Sequence, residues 1–571
     1  MPVGREADQS DAAPTVADGA ATTGFPLTAG QAVRLLIGAV WLYWAQTWIG
    51  VTGLVPLGAA LAVLTAAGSL WIMGAALTVR GRSFEAHMDR LILVACLAQG
   101  ALQIVVASSW HGYVSDELAF NQAAASALIH GLNPYGADLA SALRQYGVGW
   151  GTLTLAGQEV HTMSYPSLSV LLYVPATLLF GTGSGAGLGT DALAWVVGGA
   201  LLWRMVDASL RPCVALFLVL PIPLLLVGDG ATDALYLPFL LVAVWRWDRF
   251  EDPAERSPAR WVGPIALGLA CCVKQSPWLL APFLVAGVGI EARLRGRGWF
   301  GAGARYTLIA GAAFLVPNLA FVVWNPGAWL TEILLPLRTA LVPLGIGPAQ
   351  LVGAYGLGGG DMGLFGWAGA ALVLAALLIF VRCYGRLKPV FILLPLLGML
   401  LETRSLMSYF VFAVPVLVVA ATTVRAVRWE LPGRRLASGL AWGGGLLAAV
   451  SAGLLIAALA DPPPLAITVQ SAHVGAAQLV ADVSVANRGT QPVRVHFILA
   501  VTGTAEQVMG VTSGPAVLDA GQRASYSLVA TDQTPLPAAG YPFQFQLTSN
   551  DPAMLAVTPQ LTSDAAGNVS P

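Results

Sequence analysis

Asp116 and Glu117 stand side by side just past an apolar stretch, in Ser115-Asp116-Glu117. Carboxylates at a membrane–water boundary lose part of their hydration, which raises their pKa and suits them to general-base work. The plainer reading makes both residues caps of a following helix. Lys274 is the second group, set in LGLACCVKQSPWLLAPF with Gln275 and Ser276 beside it. A lysine in an apolar run costs ~2.5–3.5 kcal/mol at a helix centre and is a functional candidate by default. Pairing with a phosphate is its natural work. Near a helix end it can instead snorkel to the surface. Arg404 lies in Glu402-Thr403-Arg404-Ser405, with Tyr409 just after it. It offers a second cation, and an ion pair with Glu402 accounts for it equally well. Asp229 and Asp233, in VGDGATDALYL, are further acids near span ends, where loop or capping roles compete.

These residues must be held by a very apolar chain. Of 571 residues, 56% are hydrophobic and 10% charged, against about 25% charged in soluble domains. Mean hydropathy is +0.71. A single soluble globule, a disordered chain and a secreted disulfide scaffold are excluded. The net charge of −1 leaves no basic face for nucleic acid. Only Lys274 and Lys388 are lysines among 29 basic residues. Cys96, Cys213, Cys271, Cys272 and Cys383 lie in or beside apolar segments without metal-ligand spacing, and no disulfide framework is expected. His111, His130 and His161 lack the i, i+4 spacing of a helical zinc pair, so no metal is expected.

The chain divides into a disordered cytoplasmic tail at 1–30, an N-terminal pair of transmembrane helices at 31–80, a transmembrane core at 81–460 and a polar region at 461–571. About thirteen apolar segments fit between 31 and 460 at ~20 residues per span. With the N-terminus inside, the arginine clusters after 200 fall on the cytoplasmic side, and a long loop, 110–165, falls outside. The protein is therefore expected to be multi-pass in a membrane, with membrane lipids as partners. Segment 167–181 is apolar enough to cross, yet counting it reverses every later loop. The run Glu117–Ile129 has helical spacing and is expected along the membrane surface. The Gly-rich stretch 325–365 reads as a mobile loop over a site.

Asp116-Glu117 after an early span, then Gly131-Leu132-Asn133-Pro134-Tyr135, then Tyr165-Pro166, resemble motifs of the GT-C superfamily. These are integral-membrane glycosyltransferases that use polyprenyl-phosphate sugars. Lys274-Gln275 and the Arg404-Ser405…Tyr409 segment are similar to later family signatures. The resemblance covers about 85–460 and looks most like bacterial mannosyltransferase-type members. The two segments at 31–80 depart from the family pattern, and no WWD-type oligosaccharyltransferase signature is present.

The resemblance implies a bacterial cell membrane as the location and transfer of one sugar, mannose-like or a pentose, with inversion, outside the cytoplasm. The donor is a polyprenyl-phosphate sugar, with no cofactor. The acceptor is a hydroxyl of a glycan, glycolipid or protein. Asp116 is the expected base, with Glu117 orienting or replacing it. Lys274, then Arg404, with Gln275, would bind the donor phosphate. Asn133, Tyr135, His161, Tyr165, Asp229, Asp233 and Tyr409 complete the candidate substrate site. A transporter or flippase of lipid-linked sugars, and a non-catalytic membrane scaffold, are the rival readings.

After Asp461-Pro462-Pro463-Pro464, the tail alternates apolar and polar residues between turn signals such as Asn487-Arg488-Gly489. That pattern predicts an extracytoplasmic immunoglobulin-like β-sandwich. Glycan binding or acceptor positioning is its expected work, with a passive cap as the alternative.

Overall fold

A computed structural model describes residues 27–51, 55–78, 81–107, 113–149, 151–252, 259–429, 434–502, 506–531 and 536–570. Most of the tail expected at 1–30, and His111, lie outside the described residues. The chain is helical up to Ala460 and β-rich beyond it.

Long, mainly apolar runs give helices such as Ser184–Met205, Trp299–Trp324 and Gly363–Arg382. At 1.5 Å per residue, each reaches ~30 Å or more. Among the described residues, seven helices are long and apolar enough to cross a membrane, or nine if each of two bent pairs is one span. Ala208–Phe217 meets Pro221–Gly228 at 53°, and Tyr384–Val390 meets Leu393–Leu401 at 72°. Pro221 begins the second arm of the first pair, where a residue without an N–H suits a fresh helix start.

Other apolar segments fold as shorter helices: Ser167–Phe180, Asp233–Val244, Arg260–Val273 and Met407–Thr423. Polar residues such as Asp233, Lys274 and Arg425 bound them and keep them under ~20 residues. Segment 167–181 is thus a 14-residue helix whose last turn, Leu178 to Phe180, is exposed. Helices Ala29–Val51 and Val55–Thr78 pack on each other, with the Trp41 ring against Gly68. The Arg34–Asp89 ion pair, 2.7 Å, ties this pair to the next helix, Arg82–Leu102.

Helix Asp116–Ile129 corrects one expectation. It is buried over Asp116–Gln122 and again at Ala124 and Ala125, so its first half lies within the helical body. Leu118, Ala119, Phe120 and Ala124 fall on different sides of it, and every side finds a neighbour. The 325–365 stretch is not without regular structure. It folds into helices Pro326–Ile333, Leu335–Arg338 and Ala349–Tyr355.

The β-rich region holds two four-stranded antiparallel sheets. Strands Leu465–Val474, Gln478–Asn487, Arg523–Thr531 and Gly510–Ser513 form one. Ala553–Val557, Phe543–Asn550, His496–Val501 and Glu506–Val508 form the other. Leu479, Val483, Phe497, Leu528 and Phe545 belong to one shared core. Strand Phe543–Asn550 is buried on both faces, despite its alternating sequence. Its second face docks on the helical body, where Gln544 Nε2 donates to the Gly353 carbonyl. Ile498 and Leu555 there join an apolar cluster with Leu153, Val342, Val352 and Ala458.

Candidate active site

Three helix ends meet beneath that docked face. Glu117 is in the first turn of its helix, where the Ser115 side chain accepts from the Glu117 N–H. Asp233 opens helix Asp233–Val244. Lys274 follows the last turn of helix Ala259–Val273. Helix dipoles favour acids at the first two positions and a cation at the third. Lys274 Nζ lies 2.9 Å from both carboxylate oxygens of Glu117 and 3.1 Å from Asp233 Oδ2. The Tyr165 and Tyr409 rings flank it at 5.5 and 5.2 Å. Thr232 donates to Glu117 Oε2 through its N–H, 3.1 Å, and its hydroxyl, 3.0 Å. Tyr236 OH donates to Asp233 Oδ1 at 2.7 Å.

Asp116 has a different environment. Its Oδ2 accepts from the Thr152 N–H at 2.7 Å, and Arg404 Nη2 donates to Thr152 Oγ1 at 3.0 Å. A short parallel ladder, Leu344 with Arg404 and Gly345 with Ser405, fixes the arginine's backbone. Gly345 has φ +121°, and a Cβ there would strike the Ser405 carbonyl, so the approach requires glycine.

The two neighbouring carboxyls are pushed apart. Burial raises the pKa of Asp116, with Arg404 and Thr152 opposing only in part and Glu117 adding to the rise. Burial also works against the charge on Glu117, but Lys274 outweighs it and holds the group below the ordinary carboxylate value. Such a split separates a proton acceptor from a fixed charge.

Asp116, Glu117, Lys274, Gln275, Arg404 and Tyr409 line one cavity of about 240 Å³. Tyr165 and Glu402 line it too, and Phe120, Trp278, Leu335, Leu337 and Met399 give it an apolar wall. A smaller apolar slot shares Ser276, Met399 and Tyr409 with it and extends past Leu240, Leu280, Pro395 and Phe412. The wall thus passes from charged to apolar within one continuous lining.

No protein-family model matches the chain, and no curated protein or solved structure does.

Other candidates sit around this cavity and do not line it. Asn133 Oδ1 accepts from the Tyr135 N–H at 3.0 Å, and Tyr135 OH donates to the Tyr165 carbonyl at 2.7 Å. His161 Nε2 lies 2.8 Å from Glu159 Oε2. The Asp229 carbonyl accepts from the Ser115 N–H at 2.8 Å, just before Asp116. Asp233 reaches the site through Lys274 alone. Gln275, which does line the cavity, is a brace, with Nε2 donating to the carbonyls of Ser164 and Ile333 at 2.6 and 2.9 Å. Among the described residues, no group of three or more His, Cys, Asp or Glu is placed to hold a metal.

Sequence reasoning missed Thr152, which joins Asp116 to Arg404, and Thr232, which anchors Glu117. It treated Glu402 only as a partner for Arg404. The two form no ion pair, and burial pushes the Glu402 carboxyl up to about 7. Glu506, from the β-rich region, was also missed. Burial pushes its carboxyl to about 7 against the pull of Arg404, and Gln546 Nε2 donates to it at 3.3 Å.

Lys388 repeats the Lys274 arrangement at the other end of the body. Its Nζ lies 2.8 Å from Asp248 Oδ2 and 2.6 Å from Glu291 Oε1, with the Trp247 and Tyr384 rings at 5.9 and 5.8 Å. It lines neither cavity.

Proposed function

We propose that this protein is an integral-membrane glycosyltransferase of GT-C type. It moves one sugar from a polyprenyl-phosphate donor to a hydroxyl acceptor outside the cytoplasm, with inversion. The short apolar helices then lie in the bilayer with the long ones, giving a body of about thirteen segments. The two sheets form an extracytoplasmic β-sandwich. One observation carries the reading: Asp116 and Arg404, joined through Thr152, line a cavity that continues into an apolar slot.

A hydroxyl is a poor nucleophile and needs a base within hydrogen-bond reach. Asp116 accepts the acceptor's proton as the acceptor oxygen bonds to the anomeric carbon. The bond from that carbon to the phosphate oxygen breaks, and polyprenyl phosphate leaves with the electron pair. Arg404 stabilises the growing phosphate charge in a water-poor cavity. It replaces Lys274 as first choice because Glu117 and Asp233 already oppose the lysine's charge. Lys274 is the strut that fixes both acids. The apolar slot accepts the first isoprene units.

The test is turnover by the purified full chain, supplied with polyprenyl-phosphate mannose or a polyprenyl-phosphate pentose and a glycan acceptor. Release of polyprenyl phosphate with formation of a lengthened glycan supports the reading. Absence of release with every donor, from protein that melts cooperatively, refutes it.

A further inference from the structure

A third cavity, of about 70 Å³, lies at the far end of helix Asp233–Val244 from Lys274. Twelve residues at 1.5 Å each separate the two ends by ~18 Å. Arg246, Arg249 and Arg260 line it, together with Trp247 and Tyr306. Trp247 Nε1 and Tyr306 OH are buried donors with no hydrogen-bond partner among the described residues, and these two residues are only 3% and 1% exposed. Buried donors are rarely left without an acceptor, and these two line the same cavity.

Among the described residues, none of the nearby acids lines the cavity. Asp248 is held by Lys388 and by the Arg425 N–H, Glu251 by Arg297 and Arg305, and Asp252 by Arg425. The described lining holds no acid, and Arg246 and Arg260 with the Trp247 N–H and Tyr306 O–H face a small volume. Arg246 also has φ +52°, the left-handed region that residues with a Cβ rarely adopt. Its N–H donates to Thr423 Oγ1 at 3.1 Å, which holds that conformation. Such strain concentrates where a side chain must be aimed.

We propose that this cavity binds a phosphate group, supplied by an anionic phospholipid headgroup at the membrane surface. Arg246 and Arg260 are exposed at its rim, and each lies over a neighbouring indole, Trp245 at 4.9 Å and Trp261 at 5.0 Å. Tryptophan beside arginine at the end of apolar helices is the composition of a headgroup-level belt. Basic pockets between membrane helices recognise lipid phosphates by charge, with the acyl chains lying along the helices. The two arginines would clasp the phosphate oxygens, and Tyr306 OH and Trp247 N–H would donate from beneath. This site is independent of the transferase reading, since no residue is shared with the first cavity.

The test is native mass spectrometry of the delipidated full-length protein, titrated with phosphatidylglycerol, phosphatidylcholine, glycerol 3-phosphate and inorganic phosphate. Phosphatidylglycerol should bind about tenfold more tightly than phosphatidylcholine, and Arg246→Ala/Arg260→Ala should erase that preference. Tyr306→Phe keeps the charges and the packing, and should weaken phosphatidylglycerol several-fold if the double variant does not fold. Equal or tighter binding of the two soluble phosphates, lost in the same variants, keeps the phosphate site and overturns its lipid source. Phosphatidylglycerol binding that matches phosphatidylcholine, or that survives unchanged in the variants, overturns the proposal.

Discussion

Lys274 Nζ is bound to both carboxylate oxygens of Glu117, a residue 157 positions earlier in the chain, at 2.9 Å. With Asp233 they form a buried trio of one cation and two acids. Removing one member of a buried pair strands its partners' charge and costs about 3–5 kcal/mol. Lys274→Met should therefore lower the melting temperature sharply, as read by thermal unfolding in detergent. Adding Glu117→Gln and Asp233→Asn to that variant removes the stranded charges and should recover most of the loss. A triple variant as unstable as the single one would show that the trio is not the source.

Asp116 leads to a kinetic expectation. Asp116→Asn keeps the size of the side chain and removes its basicity, so turnover should fall about 10²–10⁴-fold. Burial raises the folded pKa of this carboxyl, and the base works only when deprotonated. The rate should then rise with pH through a step above the ordinary carboxylate range of ~4. A pH–rate profile of the wild type, flat from pH 4 upward, would remove Asp116 from that role.

Arg404→Lys keeps the charge and loses the fork that reaches Thr152. Arg404→Ala loses both. Turnover should fall in both variants, about 10²–10³-fold in the alanine variant, as for other donors placed against a developing negative charge. Glu506→Gln, in the β-rich region, removes a titrating carboxyl within the pull of Arg404 and should alter donor kinetics. Unchanged donor kinetics in Glu506→Gln would confine the β-rich region to a scaffold role.

Glu402 allows a stability measurement that needs no substrate. Its folded pKa, about 7, lies above the unfolded value of ~4.3. A carboxyl of this kind stabilises fully below the unfolded pKa and loses that contribution as pH rises through the folded one. Between pH 5 and 8 the wild type should therefore lose stability relative to Glu402→Gln, whose side chain does not titrate. Parallel melting curves across that range would contradict the assignment.

The parts of the site legible in the sequence were those that violate apolar patterning. Asp116, Glu117, Lys274 and Arg404 stand out because charge in such a chain is expensive. Thr152 gave no such signal. It lies in a polar loop, 36 residues from Asp116 and 252 from Arg404, and only tertiary folding makes it a bridge. Burial of helix Asp116–Ile129 was misjudged because alanine and leucine at helical spacing suit a surface face as well as a core. The two-sided burial of Phe543–Asn550 was hidden for a similar reason. Gln544, Gln546 and Thr548 read as the outward face of a strand until the helical body covers them. The helix-then-strand division at Ala460 was plain from composition, since it follows from the period of the apolar residues.

Leu344 and Arg404 share a ladder, and Leu335, Leu337 and Leu341 from the same 325–365 stretch wall the cavity. A molecule that moved those leucines together with Leu344 would also move the strand that carries the guanidinium. Occupancy at one wall and anion affinity at the other would then be energetically linked, equally in both directions. An acceptor seated against the leucines would change how tightly the phosphate is held, and the seated phosphate would change the acceptor's grip by the same factor.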